Sequence, residues 1–122
     1  MKNAFQKLID IAKKLRSDTG CPWDREQTIE SMLKCVEEES QEVSEAIQKG
    51  DYVNLREELG DLLFQIVMIG QIASERKLFT MKEVMEDIAQ KLIDRHSWVF
   101  GKDKVSTPEE AIAQWKKNKK KS

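Results

Sequence analysis

The chain has 122 residues, 35% of them charged and 39% hydrophobic, with 21 Lys plus Arg against 22 Asp plus Glu and a formal net charge of -1. That length suits one domain, residues 1–122, able to build a core without disulfides. The near-neutral total hides an acidic block at residues 37–61, nine acids and two bases, and five lysines within residues 116–121, which excludes both a uniformly basic nucleic-acid binder and a wholly acidic disordered chain.

Five Gly and two Pro, with no alternation of β-branched residues, predict helices rather than strands. The first helix is predicted from about Asn3 to Leu15, with Phe5, Leu8, Ile9, Ala12 and Leu15 on one stripe. A loop from Ser17 to Asp24 follows, and Thr28 is placed to cap a second helix that ends at Gly50. Asp51 opens a third helix to about Arg76. Its longest apolar stretch, Leu62 to Ile69, is interrupted by Gln65 and falls far short of the roughly 20 residues of a membrane span. Thr80 and Glu83 have capping-box spacing for a fourth helix to about His96. Thr107-Pro108-Glu109-Glu110 starts a short fifth, which runs into a basic tail at 116–122 expected to fray. The fold class is therefore all-α, an antiparallel bundle of about five helices. No apolar leader segment opens the sequence, so a cytoplasmic protein is expected. Cys21 and Cys35 have neither CxxC spacing nor a nearby histidine, which argues against zinc and redox roles.

Helical phase gives the acids a direction. In the second helix Ile29, Met32, Leu33, Val36, Val43 and Ile47 form the expected core stripe. Glu39 and Glu42 fall on the flank that also carries Cys35 and Ala46, while Glu38 and Glu45 point to the solvent side. The third helix repeats the pattern, with Leu55, Leu59, Leu62, Leu63 and Ile66 flanked by Glu58, Asp61 and Gln65. From Leu62 to Ala73 this helix is apolar nearly all round, as expected of a helix covered on several sides, and an oligomer provides such cover readily. Several carboxylates at a core edge cost free energy unless something neutralises them. Two E-x-x-[ED] pairs, Glu39/Glu42 and Glu58/Asp61, offer four oxygen ligands for a hard divalent cation, Mg²⁺ or Mn²⁺. In the fourth helix Arg95 lies within the stripe of Met81, Val84, Ile88 and Leu92, with Lys91 at its edge. An arginine there requires an anion, either a protein carboxylate or a phosphate. Lys91 also fits a snorkelling surface residue.

Cys21-Pro22-Trp23-Asp24, Glu38-Glu39-Ser40-Gln41-Glu42, Glu58-Leu59-Gly60-Asp61, Lys91-Leu92-Ile93-Asp94-Arg95-His96 and Val99-Phe100-Gly101 occur in that order. Together they closely resemble the MazG nucleoside triphosphate pyrophosphohydrolases of the all-α NTP pyrophosphatase superfamily, over about residues 5–119. The resemblance implies Mg²⁺-dependent conversion of a nucleoside triphosphate to the monophosphate and pyrophosphate by a helical homodimer or homotetramer. It makes Glu39, Glu42, Glu58 and Asp61 metal ligands and Glu38 an outer helper in activating water. It assigns Lys91 and Arg95 to the phosphates and Trp115 and Lys119 to the nucleotide, the alternative for the last two being a core anchor and a solvated tail. Trp23 fits either base stacking or packing within its loop. Many relatives read R-R-H-P-H-V-F where this chain has Asp94-Arg95-His96-Ser97-Trp98-Val99-Phe100, a departure that touches phosphate grip and substrate preference rather than the metal ligands.

Lone His96 at a helix end reads as a cap, which leaves Glu38 or Glu39 to take a proton from water. Narrower dUTPase-like, dCTPase-like and phosphoribosyl-ATP pyrophosphohydrolase activities share the superfamily. Outside enzymes, the same residues suit an inactive helical interaction module. Five lysines without interleaved aromatics support only weak, salt-sensitive binding, so nucleic acid is not the expected partner.

Overall fold

The computed structural model describes residues 1–121, and among them helices are the only regular secondary structure. The helices are α1 (Lys2–Leu15), α2 (Pro22–Glu26), α3 (Met32–Lys49), α4 (Tyr52–Glu75), α5 (Met81–Arg95), α6 (Ser97–Phe100) and α7 (Pro108–Lys121). The five long ones match the sequence expectation. The one-turn helices α2 and α6 lie in segments too short to show a period, and α2 starts where Pro22 fixes φ at the first helical position.

Punctuation acts much as its chemistry predicts. Thr28 and Ser31 exchange backbone-to-side-chain hydrogen bonds of 2.9 and 3.0 Å, which closes a turn and delays α3 until Met32. Gly50 adopts φ 66°, the left-handed form open to a residue without Cβ. Its amide donates to Ile47 O and that of Asp51 to Ala46 O, each at 3.1 Å, ending α3. The Asp51 carboxylate then accepts from Asn54 N at 3.1 Å and opens α4.

The chain divides into two compact units, Met1–Met81 and a second beginning at Lys82. In the first, α4 packs against both α3 and α1. Ala12, Met32, Val67, Met68 and Ile72 form the core, with Phe5, Leu8, Ile9, Leu15, Phe64 and Met81 among the residues around it.

The buried faces differ from the expected stripes. On α3 the fully buried residues are Met32 and Ala46, while Leu33 and Ile47 are exposed. On α4 Glu58 is buried, whereas Leu59, Leu63 and Ile66 face outward. Each helix has two apolar sides, and the period alone does not say which one meets its neighbour in the chain. Here the acid-bearing flank turns inward.

In the second unit α6 packs against α7. Thr107 Oγ1 accepts from Glu110 N at 3.1 Å, and Ser106 N donates to Glu110 Oε2 at 2.8 Å, fixing the start of α7. The fifth long helix is longer than expected: α7 runs through the lysines to Lys121. Buried Asn118 explains this, because its Nδ2 donates to Arg95 O at 3.2 Å and Ser97 Oγ at 2.7 Å and anchors the last turns. Residue 122, the end of the expected basic tail, lies outside the described residues.

Candidate metal centre

Residues 35, 39, 42 and 46 of α3 share one helical flank, as do residues 58, 61, 65, 68 and 72 of α4. Because these flanks face inward, Glu39, Glu58 and Asp61 each bring a carboxylate oxygen into one group whose atoms lie within 4.8 Å of one another. Glu58 is only 9% exposed. Glu39 is half-buried, and its Oε2 is closed off from water with no hydrogen-bond partner.

The electrostatics are those of crowded acids. Burial foremost, then the charge of Asp61, raises the Glu39 carboxyl above its ordinary value; a hydrogen bond from Glu58 partly opposes this, and Glu42 and Glu38 add to the rise. Glu58 is raised first by burial and then by the charges of Glu39, Glu42 and Asp61. Protonated Glu58 donating to Glu39 is the low-cost arrangement of the pair without a cation. An orphaned buried oxygen amid carboxylates is costly by itself and is satisfied by a hard divalent cation, whose ligands are oxygens of this kind. The residues therefore fit a metal.

Glu42 is exposed and stands outside the three-residue group, although its charge reaches both Glu39 and Glu58. Glu38 is exposed on the outer side of α3, 3.9 Å from Lys34. Glu45, expected to face solvent, is half-buried, a consequence of the same rotation that brings Ala46 inward.

Adjacent helices carrying convergent carboxylates define an all-α protein with an acidic cluster able to bind a metal ion. Residues 27–100, more than half the chain, match the family model described as the MazG nucleotide pyrophosphohydrolase domain. The nucleoside triphosphate pyrophosphohydrolase/pyrophosphatase MazG of Thermotoga maritima is 44% identical over 124 residues, covering 97% of this chain and 47% of that protein. The nucleoside triphosphate pyrophosphohydrolase of Escherichia coli (strain K12) is 39% identical over 118 residues, 96% of this chain and 45% of that protein. This chain thus spans about half the length of the curated relatives it matches. The crystal structure of a mazG-related protein from Thermotoga maritima aligns with a TM-score of 0.78 at 33% identity, over 94% of this chain and 98% of that one. The chain belongs to the MazG nucleotide pyrophosphohydrolase family, a family of hydrolases.

The remaining candidates fall in both units. In the second, Lys91 and Arg95 line a cavity of about 330 Å³ with Asp87, Gln90 and Asp94. The Arg95 guanidinium also lies 5.8 Å from the Trp115 ring centroid, within cation–π range. Trp115 meets the His96 ring edge-on at 4.9 Å, and His96 Nδ1 is 2.7 Å from Leu92 O, in keeping with a structural histidine. Lys119 is exposed one turn beyond Trp115. In the first unit Trp23 lies on α2 and is 56% exposed. Sequence reasoning missed Arg16, whose side chain is only 10% exposed and is engaged by Glu75 and the backbone of α2. Its partners are up to 59 residues away, so no local pattern marks it.

Proposed function

We propose that the chain hydrolyses nucleoside triphosphates, ribo- or deoxyribo-, to the monophosphate and pyrophosphate in a Mg²⁺-dependent reaction, with Mn²⁺ as a substitute. The observation that carries this reading is the Glu39–Glu58–Asp61 group with its unpartnered buried oxygen, in a chain of the MazG family. Glu39, Glu58 and Asp61 would hold the ion, and Glu42, one helical turn beyond Glu39, would complete the set. When bound, the ion supplies charge neutralisation on the phosphate chain and activation of a water.

The protein's own groups do the rest. Glu39, whose proton affinity is raised by burial and by Asp61, takes the proton of the attacking water, a role better suited to it than to outward-facing Glu38. Lys91 and Arg95 grip the phosphates by charge-assisted hydrogen bonds. Trp115, Lys119 and Trp23 contact the nucleoside. Residues 1–122 act as one functional domain in the cytoplasm. The exposed Leu33, Ile47, Leu59, Leu63 and Ile66 support a homodimer or homotetramer that covers them.

Pyrophosphate release measured across canonical and damaged NTPs and dNTPs, with Mg²⁺ or Mn²⁺, tests the reading. Activity on at least one nucleoside triphosphate is expected, with Glu42→Gln and Asp61→Asn both inactive. Full activity in both variants overturns it.

A further inference from the structure

A lysine run is an unexpected place for a buried amide. Asn118 is surrounded in sequence by Lys116, Lys117, Lys119, Lys120 and Lys121, yet it is only 7% exposed. A buried amide needs hydrogen-bond partners, and this one has them on three sides. Its Nδ2 donates to Arg95 O at 3.2 Å and to Ser97 Oγ at 2.7 Å, and its Oδ1 accepts from Gln114 Nε2 at 3.0 Å. Arg95 closes α5 and Ser97 opens α6, so the amide grips the junction of those helices, where carbonyls lack intrahelical partners. Three residues earlier, on the same face of α7, Trp115 meets the same arginine from its other end: the ring centroid lies 5.8 Å from the guanidinium. That ring also meets His96 edge-on at 4.9 Å, and His96 Nδ1 is 2.7 Å from Leu92 O of α5. Helix α7 therefore holds Arg95 twice, at its backbone carbonyl and at its guanidinium.

A long arginine side chain loses rotamer freedom when it closes on an anion, and ordering it beforehand tightens binding without any added contact. The cation–π contact can order the guanidinium only while the ring stays over it, and that depends on the register of α7 against α5. A flat ring does little to fix a register. Directional bonds from Asn118 to a backbone carbonyl and a hydroxyl do fix it. An apolar residue of similar size would fill the same space without burying a polar group, so the amide contributes direction rather than burial. We infer that Asn118 is a positioning residue: by locking α7 onto the end of α5 it keeps Trp115 over Arg95 and presents that guanidinium, already ordered, to a phosphate group. The inference rests on the nucleotide reading above, but it concerns how the arginine is held and not how the anhydride is cut.

Two measurements on the full chain test it. NMR relaxation of the arginine Nε–H groups reads order directly, with neither ligand nor turnover. Arg95 is expected to be ordered in the wild type, mobile in Asn118→Leu, and partly restored in Asn118→Gln, which keeps the amide. Arg16, whose side chain is 10% exposed in the first unit, is the internal reference and should not change. The second measurement is calorimetric titration of pyrophosphate in Mg²⁺. Asn118→Leu is expected to weaken binding about three- to tenfold, the cost of ordering one long side chain at the moment of binding. It should add nothing to the loss in Arg95→Ala, because the amide acts through the arginine. If Asn118→Leu fails to fold, Ser97→Ala removes one of the two acceptors and should give a smaller change of the same sign in both measurements. An Arg95 Nε–H that stays ordered in Asn118→Leu, or additive losses in the Asn118→Leu/Arg95→Ala double variant, would overturn the inference and leave Asn118 a structural staple of α7. Undiminished pyrophosphate affinity in Arg95→Ala, with the relaxation result intact, would instead remove the phosphate reading of Arg95 and leave the hold of Asn118 on that arginine standing.

Discussion

The two halves of α4 use one helix geometry for opposite ends. In the first half the inward side holds Glu58 and Asp61 beside Glu39, and the apolar residues Leu59, Leu63 and Ile66 face out. In the second half Val67, Met68, Gly70, Ile72 and Ala73 are buried, and Met68 and Ile72 continue the very flank that carries the acids. The second half therefore stabilises the first unit. The first half withholds stabilisation, keeping the buried Glu58 carboxyl beside half-buried Glu39 of α3, and the raised proton affinity of that pair records the cost. A helix anchored at one end holds strained acids in register at the other.

The largest break in this comparison comes from the acidic half. Glu39→Gln removes both the unpartnered oxygen's charge and the proposed proton acceptor, and pyrophosphate release is expected to fall by about a hundredfold or more, beyond what loss of an outer-shell partner costs. The fold should be retained, as near-wild-type far-ultraviolet circular dichroism would show. Met68→Ala makes the opposite break. It empties a site that is 1% exposed in the core and should cost about 2–5 kcal/mol in urea unfolding, with the activity of the folded fraction largely kept. If Met68→Ala removed activity without loss of stability, the division of labour along α4 would be wrong.

Which parts were legible in the sequence follows from the range of the signals. Thr107, Gly50 and Asp51 act within a few residues of themselves, so the starts of α4 and α7 and the end of α3 were readable. Pairing Glu39 with Glu58 and Asp61 was readable too, because phase puts all of them on flanks of consecutive helices. The identity of the inward side was not, since Leu59 and Met68 are equally apolar and only packing against α3 and α1 separates them. Arg16 was invisible for the same reason: its value lies in carbonyls of α2 and a carboxylate at the far end of α4. The length of α7 was not readable, because a single residue, Asn118, bonds back to Arg95 O and Ser97 Oγ within the lysine run.

The smallest expected effect sharpens the comparison most. Glu39 and Glu58 have folded-state pKa values above the ordinary carboxylate value of 4.5, so the folded, metal-free protein binds more protons than the unfolded chain between those limits. The stability these two groups lend is full below 4.5 and is lost as pH rises through the folded values. Glu75, lowered chiefly by its hydrogen bonds from Arg16, has the opposite sign and loses its contribution as pH falls. Glu58→Gln isolates the first effect, because a glutamine amide can still donate to Glu39 while carrying no charge. In chelator-treated protein at pH 7 this variant should melt above wild type. Its advantage should shrink toward pH 4.5, where wild-type Glu58 is protonated anyway. Added Mg²⁺ should raise the wild-type melting temperature and leave the variant nearly unmoved, reversing their order as the cation takes over the neutralising role that a proton plays in its absence.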